Sequence, residues 1–179
     1  KSGKKIAAQN MVDEAAKAAG YKLGTNRYNR MYHITRADFK SFKEGVSFFT
    51  PDSSFSGIGG ESSLRNAKEK ILPVYINPGR IFDIQDHKER LLSQGAISEK
   101  EYKILDNAQI FYEGNKDDLT GDEQSTAFSI GDYEIVESRT VLDLIKREGY
   151  DSFRVRENGV ENIGVLGRTD IKSADAATY

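Results

Sequence analysis

The sequence predicts an α+β domain whose strands pair mostly antiparallel. Predicted strands open and close the chain, and helices lie between them without the regular strand–helix alternation of a doubly wound parallel sheet. No Gly-x-Gly-x-x-Gly segment opens a helix after a strand, and there is no Gly-Lys-Ser/Thr phosphate loop. The 179 residues are enough for one domain, or for one domain with an insertion.

The composition excludes several kinds of site. With no cysteine, the chain has no disulfide, no thiolate metal site and no cysteine nucleophile. Two histidines, His33 and His87, are too few for a multi-histidine metal cage. No apolar run is long enough for a membrane span, and no signal peptide is visible. Because the sequence begins Lys-Ser-Gly without Met, we expect it to be a piece of a longer chain.

Charge is distributed unevenly along the chain. Residues 1–43 contain ten Lys or Arg and three acidic residues, a balance of +7, so residues 44–179 carry −9 of the total of −2. Such a basic N-terminal third is compatible with binding the phosphates of a nucleotide or a nucleic acid. A solvated helix face followed by a basic loop explains the same charges.

The first half of the chain is predicted to contain one helix and several short strands. The helix covers residues 4–19, is followed by Gly20 as a stop, and has apolar or alanine residues that share a face at Ile6, Met11, Ala15 and Ala19. The other predicted elements are strands at 30–35 and 46–50, a Gly/Ser-rich loop at 53–63, a short helix at 63–71, and strands at 74–76 and 81–84.

The second half is predicted to mix helices with hairpins. Two helices fill residues 86–107, and Ser98 and Glu101 have the spacing of a capping box at the start of the second. An acidic loop is predicted at 113–125, followed by strands at 126–130 and 133–137 that are joined by Gly131-Asp132. A helix is predicted at 139–148, with Val141, Leu142 and Ile145 on one face. The last predicted elements are strands at 152–156 and 162–166, joined by Glu157-Asn158-Gly159.

Four segments in this order resemble the ADP-ribosyltransferases of the diphtheria-toxin and poly-ADP-ribose-polymerase type. The chain is most similar to the small ADP-ribosyltransferase domains of large phage and mobile-element polyvalent proteins. The first segment is Ala18 to Tyr21 followed by Tyr32-His33-Ile34-Thr35, and the second is Phe48-Phe49-Thr50 followed by Pro51-Asp52. The third is Val74 to Asn77. The fourth is Gly149 to Ser152, followed by the hairpin and by Ile163 to Ser173. They cover both ends of the chain, about 100 residues, and leave 85–135 as an insertion.

The resemblance implies a split β-sandwich of two small sheets that binds NAD as a co-substrate. His33 takes the place of the family histidine that hydrogen-bonds the adenosine-side ribose, and Phe48 that of the tyrosine that stacks on nicotinamide. Ser56 stands where a serine contacts the carboxamide, and 53–63 is the covering loop. The flanking Tyr32, Ile34, Thr35, Phe49 and Thr50 complete the implied cofactor-binding segments, and no metal is implied.

The resemblance leaves the acidic catalytic position open between Glu161 and Asn162. Counting back through the last strand places Asn162 there, and neighbours in a strand point to opposite faces, so Glu161 fits only if a bulge turns it inward. Ile34 replaces the usual glycine, and Phe48 lacks the tyrosine hydroxyl.

The resemblance therefore implies mono-ADP-ribosyl transfer from NAD to a host macromolecule, with a protein as the expected target, in the cytoplasm of a bacterial host and without a membrane partner. Two alternatives remain. The departures at Ile34, Phe48 and Asn162 favour a catalytically inert NAD- or nucleotide-binding module on the same fold. The basic residues near the N-terminus favour a relative that modifies nucleic acid. The acidic run Asp117 to Glu123 lacks the spacing of a calcium loop and is interpreted as solvated.

Overall fold

The computed structural model describes residues 2–21, 30–35, 42, 45–53, 70–167 and 171–174. These residues contain both helices and strands, in agreement with the predicted α+β class. The chain divides into two compact units. The first comprises residues 1–78 and 165–179, and the second comprises residues 79–164, which include the predicted insertion.

The first unit contains a helix and an antiparallel sheet. Helix α1 spans Ser2–Ala18, and strands β1 (Met31–Thr35), β3 (Lys70–Ile76) and β7 (Ile171–Ser173) form a sheet in the order β1-β3-β7. Both pairings are antiparallel, with His33 opposite Leu72 and Tyr75 opposite Lys172. Strand β2 (Ser47–Phe49) continues into Thr50, which pairs with Tyr32 of β1.

Helix α1 packs on the sheet through a different face from the predicted one. Val12 and Ala16 are buried against Tyr75 and Ala174, whereas Ile6 and Met11 are 62% and 74% exposed. The apolar positions of α1 are sparse, so the pattern alone did not define its buried face. Polar groups fix the helix instead: the Tyr75 hydroxyl donates to Asp13 at 2.7 Å, and Gln9 donates to the Ala174 carbonyl at 2.9 Å.

The second unit is largely helical. Its elements are β4 (Ile81–Phe82), a 3-10 turn at Gln85–His87, α2 (Lys88–Ser93), α3 (Glu99–Tyr112), a 3-10 turn at Lys116–Asp118, α4 (Gly121–Ser129), α5 (Tyr133–Val136), α6 (Arg139–Arg147), β5 (Ser152–Glu157) and β6 (Val160–Val165). The three strands are adjacent in the order β6-β5-β4, and β4 runs parallel to β5. The predicted helices at 86–107 and 139–148 and the final two strands are confirmed.

Two turn signals were interpreted correctly. The Ser98 hydroxyl accepts from the Glu101 N–H, and the Glu101 carboxylate accepts from the Ser98 N–H, so the predicted capping box starts α3. Asn158 and Gly159 both have positive φ, 48° and 75°, as a two-residue hairpin turn between twisted strands requires.

The predicted loop at 113–125 holds as far as Thr120, apart from the 3-10 turn at Lys116–Asp118, and the prediction of a hairpin at 126–137 is wrong. Thr120 and Glu123 form a second capping box, which starts α4 at the acidic segment and carries the helix through the β-prone residues up to Ser129. Gly131 follows the C-cap residue Ile130 with φ 55°, and glycine is required there because a Cβ would clash with the carbonyl oxygen of Arg156. Residues 133–136 form α5 instead of a strand.

Smaller differences concern element boundaries. Lys70 and Ile71 belong to β3 and not to a helix, and β4 ends at Phe82. On α6, Leu144 is buried together with Val141 and Ile145, whereas Leu142 is only partly buried. Most of the predicted loop 53–63 and of the predicted helix 63–71 lies outside the described residues.

We predict that Thr120→Ala destabilises the second unit by about 1 kcal/mol, because the Glu123 N–H loses its side-chain acceptor. Urea unfolding followed by circular dichroism measures the change. Ser125→Ala, at an exposed position of the same helix, is the control and should change the stability by less than about 0.5 kcal/mol. Equal effects of the two substitutions would contradict a capping role for Thr120.

Candidate functional site

His33 is held in a defined orientation on strand β1. Its Nδ1 lies 3.0 Å from the backbone oxygen of Phe48, which only accepts hydrogen bonds. The proton of the neutral ring is therefore on Nδ1, and Nε2 is the acceptor of the ring. Backbone hydrogen bonds between Tyr32 and Thr50, at 2.8 and 2.9 Å, fix the two segments that carry these groups.

The surroundings of His33 are aromatic. Its ring lies 5.2 Å from the Phe42 ring and 5.7 Å from the Phe49 ring, and Phe49 is fully buried. Burial lowers the pKa of His33, and the hydrogen bond to Phe48 opposes this only in part. His33 is thus a neutral, half-buried imidazole near pH 7.

Phe48 and Phe49 have different environments because neighbouring strand residues point to opposite faces. Phe49 packs its ring against His33 in the core, whereas Phe48 supplies a backbone acceptor and keeps a half-buried ring. Among the other predicted binding residues, Thr50 is buried and its hydroxyl accepts from the Asp52 N–H at 3.2 Å, and Tyr32, Ile34 and Thr35 are partly buried. Ser56 lies outside the described residues.

Glu161, in the second unit, belongs to a cluster of ionic groups. Its carboxylate lies 3.6 Å from the Arg154 Nε and 4.0 Å from the Arg156 Nε. Arg156 also donates two hydrogen bonds to Asp83, at 3.0 and 2.8 Å, and one to Asp132 at 3.0 Å. Glu161 therefore faces two guanidinium groups and shares them with two other carboxylates.

The two aspartates of this cluster have opposite pKa shifts. Burial alone would raise the pKa of Asp83, but its hydrogen bonds and charge pairing with Arg156 and Arg154 outweigh burial and lower it. Asp132 is completely buried, and burial raises its pKa to about 6 despite the hydrogen bonds from Arg156. The cluster thus has more carboxylate groups than the two arginines neutralise.

Asn162 occupies the opposite side of β6 from Glu161 and is 4% exposed. Its Oδ1 is buried, and within the described part of the chain it has no hydrogen-bond partner. An unpaired buried amide oxygen costs free energy, and native proteins usually keep such groups paired. Asn162 therefore has the capacity to accept one more hydrogen bond, whereas Glu161 is engaged by arginines.

Sequence reasoning missed the ionic cluster. Its members lie in separate parts of the sequence, and only the fold brings them together. They are Asp83, Asp132, Arg154, Arg156 and Glu161. One signal was present: Arg154 and Arg156 alternate with Phe153 and Val155, so that two arginines share one face of a buried strand. Buried arginines require acidic partners, but the sequence does not indicate which of its acidic residues these are.

Two further findings concern membranes and metals. Within the described ranges, no helix combines the length and apolar character that crossing a bilayer requires. The His, Asp and Glu side chains of those same ranges form no group of three that would hold a metal ion.

Comparisons with protein-family models, with curated proteins and with solved structures find no match to this chain.

We predict that the stability of the protein falls as the pH rises from about 5 to 8 because of Glu157. Burial, together with the charges of Glu137 and Asp132, raises the pKa of Glu157 to about 7. The folded state then holds a proton that the unfolded state releases near pH 4.5, so the stabilisation is complete below pH 4.5 and is lost as the pH passes 7. Partial exposure to solvent reduces this effect to about 1–2 kcal/mol.

Chemical unfolding of wild type and Glu157→Gln at several pH values measures this effect. The variant should lose less stability than wild type between pH 5 and 8. Asp117→Asn, in an exposed turn, is the control for removing one carboxylate and should retain the slope of wild type. Parallel pH curves for wild type and Glu157→Gln would refute the assignment.

Proposed function

We propose that the chain is an NAD-dependent mono-ADP-ribosyltransferase that transfers ADP-ribose to a macromolecule, a protein in our preferred version, and releases nicotinamide. The observation that carries the proposal is the state of His33. It is a neutral imidazole, oriented by the Phe48 carbonyl, on the strand whose Tyr-His-Ile-Thr sequence resembles the family motif. The comparisons neither support nor oppose this assignment.

The proposed role of His33 is to hold the ribose on the adenosine side of NAD. A neutral ring with its proton on Nδ1 accepts a hydrogen bond from a hydroxyl group at Nε2. A charged ring would instead donate from both nitrogens, so the lowered pKa favours the acceptor role. The half-buried Phe48 ring, adjacent in sequence to the buried Phe49, is proposed to stack on nicotinamide.

The reaction requires stabilisation of positive charge. The bond between the ribose C1 and the nicotinamide nitrogen breaks, nicotinamide leaves with the electron pair, and an acceptor nucleophile forms the new bond to C1. Positive charge develops on the ribose, as in glycoside hydrolysis. One well-placed carboxylate lowers such a barrier by about 3 kcal/mol.

The contacts of Glu161 and Asn162 bear on which residue fills that role. The Glu161 carboxylate is turned toward Arg154 and Arg156, at 3.6 and 4.0 Å, on the side of β6 opposite Asn162. We therefore assign the family position to Asn162, whose buried Oδ1 is a hydrogen-bond acceptor with spare capacity. An amide binds the ribose hydroxyls without supplying a negative charge, so the proposed transfer is slow.

The amide at Asn162 also favours a second candidate function, an NAD-binding module without turnover. Without a carboxylate at position 162 the ribose receives no negative charge, and the module requires the same His33 geometry for binding. The two candidates differ only in nicotinamide release, which makes them separable by experiment.

We predict that His33→Phe abolishes NAD binding while the fold is retained. Phenylalanine preserves the ring contacts with Phe42 and Phe49 but removes both ring nitrogens. Isothermal titration with NAD measures binding, and the thermal unfolding midpoint checks the fold. His87→Phe, at the other histidine, is the control and should bind NAD as wild type does. If folded His33→Phe binds NAD with unchanged affinity, both candidate functions fail.

We further predict that Asn162→Asp accelerates nicotinamide release by up to about 100-fold, the equivalent of about 3 kcal/mol. Glu161→Gln should change the rate by less than about twofold. Release is measured by chromatography with and without bacterial lysate as a source of acceptor. A loss of release in folded Glu161→Gln would transfer the catalytic assignment to Glu161. If neither wild type nor Asn162→Asp releases nicotinamide while both bind NAD, the inert module is the correct function.

A further inference from the structure

We propose that Tyr150 is an activated phenol that accepts covalent groups from small acyl or phosphoryl donors, with His87 as its base. Tyr150 follows helix α6, and His87 ends the 3-10 turn after β4. Although 63 residues separate them, the His87 Nε2 and the Tyr150 hydroxyl lie 3.2 Å apart. This pair lies outside the residues of the proposed NAD chemistry, and the proposal does not depend on that function.

The protonation pattern of His87 follows from its second contact. Its Nδ1 lies 2.9 Å from the backbone oxygen of Asp83, which only accepts hydrogen bonds. The neutral ring therefore carries its proton on Nδ1, and Nε2 accepts a hydrogen bond from the Tyr150 hydroxyl. A nucleophile, a base and a third group that orients the base are together the arrangement that activates hydroxyl nucleophiles.

The core of the second unit fixes this arrangement. The fully buried Phe82 ring lies 4.8 Å from the His87 ring and 5.1 Å, edge-on, from the Tyr150 ring. The Asp83 carboxylate is bound by Arg154 and Arg156, which fixes the residue whose carbonyl orients His87. The base and the phenol thus have little freedom to separate.

A cation lies over the ring of Tyr150. The guanidinium carbon of Arg80 lies 4.0 Å from the centre of the Tyr150 ring, and its Nη1 donates to the Glu148 carbonyl at 2.8 Å. A positive charge over the aromatic face stabilises the electron density that grows on the ring as the phenol loses its proton.

The proposed step conserves atoms and charge. The phenol oxygen forms a bond to the electrophilic carbon or phosphorus, and the bond to the leaving group breaks with its electron pair. The phenolic proton moves to the His87 Nε2, and the resulting imidazolium still donates to the Asp83 carbonyl from Nδ1. Both Tyr150 and His87 are only partly buried, and the step requires that a small donor reach the hydroxyl from solvent.

An aryl sulfonyl fluoride tests the reactivity directly, because its sulfur is attacked by the phenol and fluoride leaves. The full chain is incubated with the probe, and mass spectrometry of peptides measures the labelling rates of Tyr150 and Tyr102. Tyr102 is an internal reference that should react slowly: it is also partly buried, its hydroxyl lies 3.3 Å from the Glu89 carboxylate, and burial and that charge raise its pKa. We expect Tyr150 to be labelled at least tenfold faster.

Two variants identify the cause. His87→Phe keeps the ring contact with Phe82 but has no acceptor, and should reduce Tyr150 labelling at least several-fold without changing Tyr102. Arg80→Gln, at an exposed position, should reduce Tyr150 labelling several-fold and serves as the test if His87→Phe does not fold. Equal labelling of the two tyrosines in wild type, or unchanged Tyr150 labelling in the folded variants, would overturn the proposal.

Discussion

Arg156 is the group on which the second unit depends most. It is buried, it binds Asp83 through two hydrogen bonds, and it binds Asp132 through its backbone N–H and its side chain. These contacts connect strand β5 with the segment after β4 and with the start of α5. A buried charge of this kind adds little net stability while it is paired, but removing one partner costs several kcal/mol. The network therefore specifies one arrangement of the elements more than it stabilises the unit.

The same network determines the chemistry of its neighbours. It gives the Glu161 carboxylate two cationic partners, and it leaves Asn162 on the other side of the strand. It also holds Asp83, whose carboxylate binds the arginines and whose backbone carbonyl orients His87. Asp83 thus connects the ionic cluster to the Tyr150 hydroxyl through His87. In the first unit, a single hydrogen bond from His33 to the Phe48 carbonyl sets the tautomer of the histidine ring.

Local signals explain which elements were predictable. The Ser98–Glu101 box, the Asn158-Gly159 turn and the apolar face of α6 each act within a few residues, so the sequence shows them directly. The prediction for residues 113–137 was wrong in part because two local signals conflict there. The β-prone residues at 126–130 favoured a strand, whereas the Thr120–Glu123 box started a helix that packs on α3. Tertiary packing decides such conflicts, since helix and strand propensities differ by less than about 1 kcal/mol per residue.

The sequence by itself determined the α+β class, most of the helices and the final hairpin, because periodicity, caps and turns depend on near neighbours. It also restricted the chemistry by providing no cysteine and only two histidines. The tertiary structure alone decided that Val12 and Ala16 form the buried face of α1, that Glu161 faces arginines, and that His87 meets Tyr150. Each of these depends on contacts between residues distant in the chain, and the burial that shifts the pKa of His33, Asp132 and Glu157 exists only in the folded state.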